Sequence, residues 1–180
     1  MTGNENGWTI RKCGEGEILR VAAFYDRVVR HLETRVNYPR WIPHVYPAET
    51  SVRAMTESGA QYVCADGETI AAAFALNADP QGAYEAGAWR RDLPEGSYLV
   101  LHALAIDPDR QREGIGSKII RFAADRAKSE GYRALRADVV PDNFPARRLL
   151  EKNGFACAGD ADLRRNVAGV PLFSLYELNW

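Results

Sequence analysis

The stretch LHALAIDPDRQREGIGSKII, residues 101–120, carries the residue types and spacing best suited to chemistry. An apolar run ends at Ile106, Asp107-Pro108 makes a turn, and a glycine-containing loop opens onto a helical pattern. The first turn of a helix leaves backbone N–H groups unpaired at the positive end of its dipole, so such a junction receives anions. Gly114 and Gly116 have no Cβ, so a bulky anion can lie directly against the backbone. Together these residues predict a phosphate or pyrophosphate cradle over Gln111, Arg112, Glu113, Gly114, Ile115, Gly116 and Ser117. A Walker loop needs Gly-Lys-Ser/Thr, which is absent, and a dinucleotide fingerprint needs a glycine where Ile119 stands. Residues 107–152 hold 11 Lys+Arg and 8 Asp+Glu, a local +3 that leaves −4 over the rest of the chain. On these residues alone the other reading is a glycine-assisted turn with ordinary solvated charges.

The elements that must position this loop follow from periodicity. Trp8 to Cys13 alternates as a short strand. Ile18, Val21, Ala22, Tyr25, Val28, Val29, Leu32 and Val36 form one helical stripe, with Glu15 and Glu17 near its start. Asn37 to Pro47 holds three prolines and is irregular. A shorter helix is expected from Ala48 to Ser58, ended by Gly59. Gln61 to Ala65 and Thr69 to Asn77 read as strands joined by an Asp66-Gly67 hairpin, and residues 78–96 as a long connection. Ser97 to Ile106 is nearly all apolar and is expected to be central. Ile115, Ile119, Ala123 and Ala127 mark a helix that stops at Gly131, and Ala134 to Val140 follows as a strand. Asn143 is an expected N-cap before Pro145 in a helix that ends at Asn153-Gly154. Phe155 to Ala158, continuing toward Leu163, and Leu172 to Asn179 close the chain as strands. This order is that of one mixed α/β (α+β) domain over residues 1–180.

Gln111-x-x-Gly114-x-Gly116 after a strand ending in Asp-Pro resembles the acetyl-CoA-binding motif of the GNAT N-acetyltransferases. Asn143-x-x-Ala146-x-x-Leu149-x-Glu151-Lys152-x-Gly154-Phe155 resembles the second signature of that family. The close match covers roughly residues 97–158. The resemblance implies a GNAT-like fold, with a mostly antiparallel sheet splayed into a V between strands 4 and 5 and flanked by about four helices. The cofactor would lie in that V, with the core over 97–158 and the acceptor-side helices over 15–58. It also implies acetyl-CoA as co-substrate, contacted by backbone at Leu104, Ala105 and Ile106, by N–H groups from Arg112 to Ser117, and by Asn143 and Ala146.

The implied reaction is transfer of acetyl to a primary amine by direct attack in a ternary complex. An oxyanion develops, which a backbone N–H at a strand splay can stabilise, and the amine must arrive neutral. Asp138, in LRADVV, is the first candidate for the base, because family members that acetylate protein N-termini carry a glutamate there. Its other reading is a surface or salt-bridged aspartate, with Arg136 as a candidate partner. His102, expected on one alternating face with Leu104 and Ile106, is the second candidate; its other reading is a satisfied core histidine. Many family members have a tyrosine where Leu150 stands, so the proton donor to the departing thiolate would be Tyr176 or water. Tyr38, Trp41, His44 and Tyr46, closed by Trp89, either wall an acceptor pocket or cover a proline-rich loop. The rival readings are a non-catalytic acetyl-CoA-binding module and a transferase for a longer acyl chain.

The chain has 180 residues, 46% of them apolar and 26% charged, with a formal net charge of −1. That balance excludes a protein whose main partner is nucleic acid or an anionic membrane surface. The acceptor is then expected to be a small-molecule or peptide amine, with a homodimer as a possible assembly. Cys13, Cys64 and Cys157 are far apart and match no metal or redox spacing; all three are expected to be small buried hydrophobes in a reducing compartment. Apolar runs fall far short of the ~20 residues that span a bilayer, and MTGNENGW shows no charged region leading an apolar run. A cytoplasmic location without a metal site is the expectation.

Overall fold

A computed structural model describes residues 7–180. The leading residues, on which the reading of the N-terminal segment falls, lie outside the described part. The elements are β1 (Thr9–Lys12), α1 (Ile18–Glu33), α2 (Glu49–Glu57), β2 (Gln61–Asp66), β3 (Thr69–Asn77), β4 (Leu99–Ile106), α3 (Ile115–Ser129), β5 (Ala134–Val139), α4 (Phe144–Lys152), β6 (Ala156–Ala161) and β7 (Phe173–Asn179). Single turns of 3₁₀ helix cover Glu15–Glu17, Tyr84–Ala86 and Pro108–Arg110. The hydrogen-bonded strand order is β1-β2-β3-β4-β5-β7-β6, which puts β4 in the middle as its apolar sequence requires.

The chain divides into two compact units, each assembled from separated stretches. The first takes residues to Asn37, Trp41–Leu76 and Ala103–Ile119. Its strands β1, β2 and β3 form an antiparallel meander, with Thr9 opposite Ala65 and Gln61 opposite Ala75. The β2–β3 turn is tight because Gly67 takes φ 56° without a steric penalty. The apolar stripe of α1, through Ile18, Val21, Phe24, Tyr25 and Val28, packs with Val52 and Met55 of α2 and with Val63, Ile70 and Ala73 of the meander. Val36 lies beyond the end of α1 and is 54% exposed, so the stripe stops short of the predicted position.

The second unit takes Tyr38–Arg40, Asn77–His102 and Ile120–Trp180. Here β5 pairs antiparallel with β7, from Ala134 opposite Asn179 to Val139 opposite Ser174, and β6 pairs antiparallel with β7. The pairing of β4 with β5 is parallel and short. It runs only from Leu99↔Leu135 to Leu101↔Ala137, although β4 continues to Ile106 and β5 to Val139. The sheet is therefore mostly antiparallel, with one parallel pair that stops partway along its strands. Tyr84, Leu93, Tyr98, Val100, Leu163, Phe173 and Leu175 form the core of this unit.

Two expectations need correction. Cys13 and Cys64 are buried, but Cys157 is exposed, because it points outward from β6 between Ala156 and buried Ala158. The even alternation expected from His102 to Ile106 is broken at Ala103, which takes a left-handed φ of 49°. That one residue puts the strand out of phase, so His102 and Ala105 are buried while Ala103, Leu104 and Ile106 are half-buried.

Candidate active site

In the first unit the predicted cradle is built as a strand–turn–loop–helix. The Asp107 N–H donates to Ala71 O at 2.8 Å, which docks the end of β4 on β3. The Asp107 carboxylate accepts from Asp109 N at 3.0 Å and pairs with Arg27 at 2.5 Å, which shapes the turn that follows. Arg112 and Gly114 both take left-handed backbone, with φ 70° and 79°. α3 begins at Ile115, and Lys118 N closes its first turn on Gly114 O at 3.0 Å. No acidic residue sits in that turn. A Cβ placed on Gly114 would meet nothing within 4 Å, so the backbone there is open to a ligand, while Gly116 is buried. The flanking cations are already engaged: Arg110 stacks over Trp8 at 5.4 Å and pairs with Glu113 at 3.6 Å, and Lys118 Nζ donates to the Trp8 carbonyl. The N–H groups from Arg112 to Ser117 are thus the natural anion donors, and a pyrophosphate fits the donor set.

The irregularity at Ala103 is held from below. Its carbonyl accepts from the hydroxyl of buried Tyr25 at 2.9 Å, and Gln61 Nε2 lies 3.4 Å from that hydroxyl while donating to Phe74 O at 2.9 Å. Burial pushes the Tyr25 phenol well above its ordinary range, so it stays a donor at all working pH values. Of the acceptor-side aromatics, Trp41 sits edge-on between Tyr25 and Tyr46 at 6.1 and 6.4 Å, with its backbone bracketed by the Asn37 amide. His44 is 73% exposed beside Asp26 and Arg30 of α1.

In the second unit the candidate bases fall in a buried polar cluster. Asp138 is not paired with Arg136. Its side chain, 7% exposed, accepts from Arg165 Nη1 at 2.6 Å and Nη2 at 2.8 Å, and from Tyr84 Oη at 2.7 Å. Both carboxylate oxygens are engaged. His102 directs Nε2 at Asp79 O, 2.9 Å away, and at Asn77 Oδ1, 3.2 Å away. Both partners are acceptors, so Nε2 carries the proton in the neutral ring and Nδ1 carries the lone pair. Burial holds the His102 pKa below its ordinary value, partly opposed by the Asp138 charge.

Tyr176 is buried; its hydroxyl accepts from Arg147 Nε at 2.9 Å and donates to Glu151 Oε1 at 2.8 Å. Leu150 packs as a buried aliphatic residue. Asn143 caps α4 by accepting Ala146 N at 3.2 Å. Tyr38 meets exposed Phe144 edge-on at 6.4 Å. Trp89 donates to Tyr84 O at 2.6 Å and covers the Arg136 guanidinium at 3.8 Å, so its ring is spent on the core of this unit. Arg136, 1% exposed, is sandwiched between Trp89 and Tyr98.

Sequence reasoning names Asp138 and His102 as candidates, which the structure places in one unit, but misses Tyr84 and Arg165, which engage the carboxylate, and Tyr25, which holds Ala103. Arg165 lies 27 positions beyond Asp138, between the two closing strands where the sequence assigned no element, and no local spacing marks it. Among the described residues no cluster of His, Cys, Asp and Glu is placed to hold a metal ion, and no helix is long and apolar enough to cross a membrane.

Comparisons with known proteins agree with this architecture. The model of the acetyltransferase (GNAT) family matches residues 26–155. An Escherichia coli [ribosomal protein bS18]-alanine N-acetyltransferase is 35% identical over 66 residues; the match covers 37% of this chain and 43% of that enzyme, less than half its length. Among solved structures, a GNAT-family acetyltransferase from Streptococcus agalactiae superposes with a TM-score of 0.77 at 18% identity, covering 97% of this chain and 96% of that one. The yncA structure from Salmonella typhimurium, which contains its cofactor acetyl-CoA, superposes with a TM-score of 0.66 at 17% identity over 97% and 94% of the two chains. With a family match across most of the chain and the strand–loop–helix junction in place, the chain belongs to the GNAT family of acetyltransferases.

Proposed function

We propose that this chain is an acetyl-CoA-dependent N-acetyltransferase that acetylates a primary amine of a peptide or small molecule by direct attack in a ternary complex. The observation that carries the reading is the junction at Gly114–Ile115, where left-handed backbone, open space and a helix start with no acidic side chain coincide. The N–H groups from Arg112 to Ser117 hold the pyrophosphate, and the backbone of Leu104, Ala105 and Ile106 holds the pantetheine arm. Bound there, acetyl-CoA supplies an activated thioester carbonyl.

The residues of the chain handle the charge and the proton. The left-handed Ala103 turns the backbone of β4 out of phase, and a backbone N–H at that turn stabilises the developing oxyanion. His102, neutral and fixed with its proton on Nε2, takes the amine proton at Nδ1 as the N–C bond forms. The C–S bond then breaks and the sulfur leaves as a thiolate, protonated by water, because the Tyr176 proton is committed to Glu151. Asp138, engaged on both oxygens, orders the cluster and does not receive the proton. The E. coli relative named as an alanine N-acetyltransferase supports an alanine-initiated peptide as the first acceptor to try.

Thiol release from acetyl-CoA across a panel of amines and peptides tests the activity. Gly116→Glu is expected to abolish acetyl-CoA binding, and unchanged affinity would refute the cradle. His102→Gln is expected to lower kcat about a hundredfold while leaving acetyl-CoA affinity intact. In the parent enzyme kcat/KM falls with acid only below the ordinary histidine range, since burial depresses the pKa of the base. Buried Leu150 favours the second reading, a binding module; it requires tight acetyl-CoA binding and no release with any acceptor.

A further inference from the structure

Arg165 makes more directed contacts than any other side chain of the cluster. Its guanidinium grips Asp138 with Nη1 and Nη2, donates from Nη2 to Pro80 O at 2.7 Å and from Nε to Gln81 O at 2.5 Å, and lies 5.1 Å from the Phe173 ring centroid. The segment it holds is a tight one. Asp79 N donates to Asn77 Oδ1 at 3.1 Å and Gln81 N to Asp79 Oδ1 at 2.8 Å, while Gln81 takes a left-handed φ of 53°. At Gly82 a Cβ would come within 2.7 Å of Leu163 O, and Ala83 N donates to that same carbonyl at 3.1 Å. Residues 77–83 are thereby stitched to Leu163 and Arg165. Three successive carbonyls, of Asp79, Pro80 and Gln81, converge on two donor groups: His102 Nε2–H takes the first, and Arg165 takes the other two.

We infer that Arg165 is a positioning residue for the transfer step: by holding Asp138 and the Pro80 and Gln81 carbonyls, it aims the Asp79 carbonyl at His102 and locks the ring with its lone pair on Nδ1. This inference rests on the reading of His102 as the base and adds the device that keeps it in the working tautomer. The groups that face His102 are Asn77 at the end of β3, Asp79 from the connection, Asp138 from β5 and Arg165 from the β6–β7 connection. Their effects on the ring have known signs. The Asp138 charge and the Asp79 contact favour the imidazolium, whereas burial and the Arg165 charge disfavour it. Removing Arg165 therefore leaves Asp138 uncompensated and moves the ring toward protonation.

The tautomer can be read directly. The chain has three histidines, His31, His44 and His102, so comparison with His102→Gln assigns the His102 signals in a long-range ¹H–¹⁵N spectrum. The parent protein is expected to show His102 protonated on Nε2 alone at neutral pH. Arg165→Met is expected to show mixed tautomers or imidazolium, to move the acid limb of kcat/KM to higher pH, and to lower kcat about tenfold. Acetyl-CoA affinity should not change. The assay uses acetyl-CoA and an alanine-initiated hexapeptide. Adding Asp138→Asn to Arg165→Met should bring the limb back down. Arg165→Lys keeps the charge but not the fork, so it is expected to leave the limb in place and still lower kcat. It also serves if the methionine variant does not fold. An unchanged His102 spectrum and unchanged kcat in the Arg165 variants would overturn the proposal. If instead His102→Gln retains full turnover and its acid limb, the reading of His102 as base fails; loss of the limb in His102→Gln alone removes only the role of Arg165.

Discussion

Glu17 shows how much one side chain can organise. Its carboxylate accepts from Arg11 at 2.5 and 2.8 Å, from Arg20, and from the N–H of Gly14 at 3.1 Å, so it closes the entry to α1. The Arg11 hydrogen bonds, chiefly, hold its pKa at about 2, well below the ordinary glutamate range. A carboxylate whose pKa is depressed on folding adds stability that is fully present above its unfolded value and is lost as pH falls toward the folded one. Glu17→Gln is therefore expected to lower stability by about 1 kcal/mol at pH 7, with the difference shrinking below pH 4.5 and vanishing near 2. Denaturant midpoints across that range check it. Arg136 is a different case, a buried cation kept by ring faces. Desolvation lowers its pKa, while Trp89 and Tyr98 cover both sides of the guanidinium, and Nη2 donates to Arg91 O at 3.1 Å. The same residue looked from sequence like a candidate partner of Asp138, and the alternation of β5 allows that pairing; tertiary packing replaces it with Arg165. Positions 136 and 138 share a face, but their cross-strand partners on β7 are Glu177 and Leu175, and the buried cation turns to the rings above it.

At the scale of elements, the left-handed residue in β4 matters most. A strand with strict alternation would present His102, Leu104 and Ile106 alike; Ala103 prevents that, and Tyr25 of α1 holds its carbonyl. Tyr25→Phe removes that donor and leaves the Ala103 carbonyl short of a partner, while the Gln61 amide keeps the Tyr62 and Phe74 carbonyls. The expected cost is about 1–2 kcal/mol in the urea midpoint. A loss of kcat alongside it, with acetyl-CoA affinity retained, would tie the irregularity to the chemical step. The starts of α3 and α4 differ in design. α4 satisfies its first turn with the Asn143 side chain, whereas the approach to the start of α3 is open at Gly114. An anion is therefore expected at one helix start and not at the other. Caps, glycines at left-handed turns and helical stripes act over a few residues, which is why nearly every element boundary was legible within two residues of its position. The alternation of β4 was not, because an alanine carries no mark of a left-handed φ.

For the molecule as a whole, a net charge of −1 conceals the +3 of residues 107–152. Acetyl-CoA binding is expected to weaken several-fold between about 50 and 500 mM salt, as the interaction with a polyanionic ligand is screened. The protein is not expected to stay on a heparin column at physiological salt, and retention there would contradict the charge argument. The two compact units interleave along the chain, so β4 and α3 each contribute residues to both. The sequence by itself determined the order of elements, the strand–loop–helix junction at the start of α3 and the family, because each of these is written in periodicity or in motifs of a dozen residues. Only the tertiary structure decided which partners each candidate base meets. Asp138 meets Arg165 across 27 positions and Tyr84 across 54, and His102 meets Asp79 across 23. Such pairings are set by how strands and connections pack, and a buried carboxylate takes whichever cation the fold brings within reach.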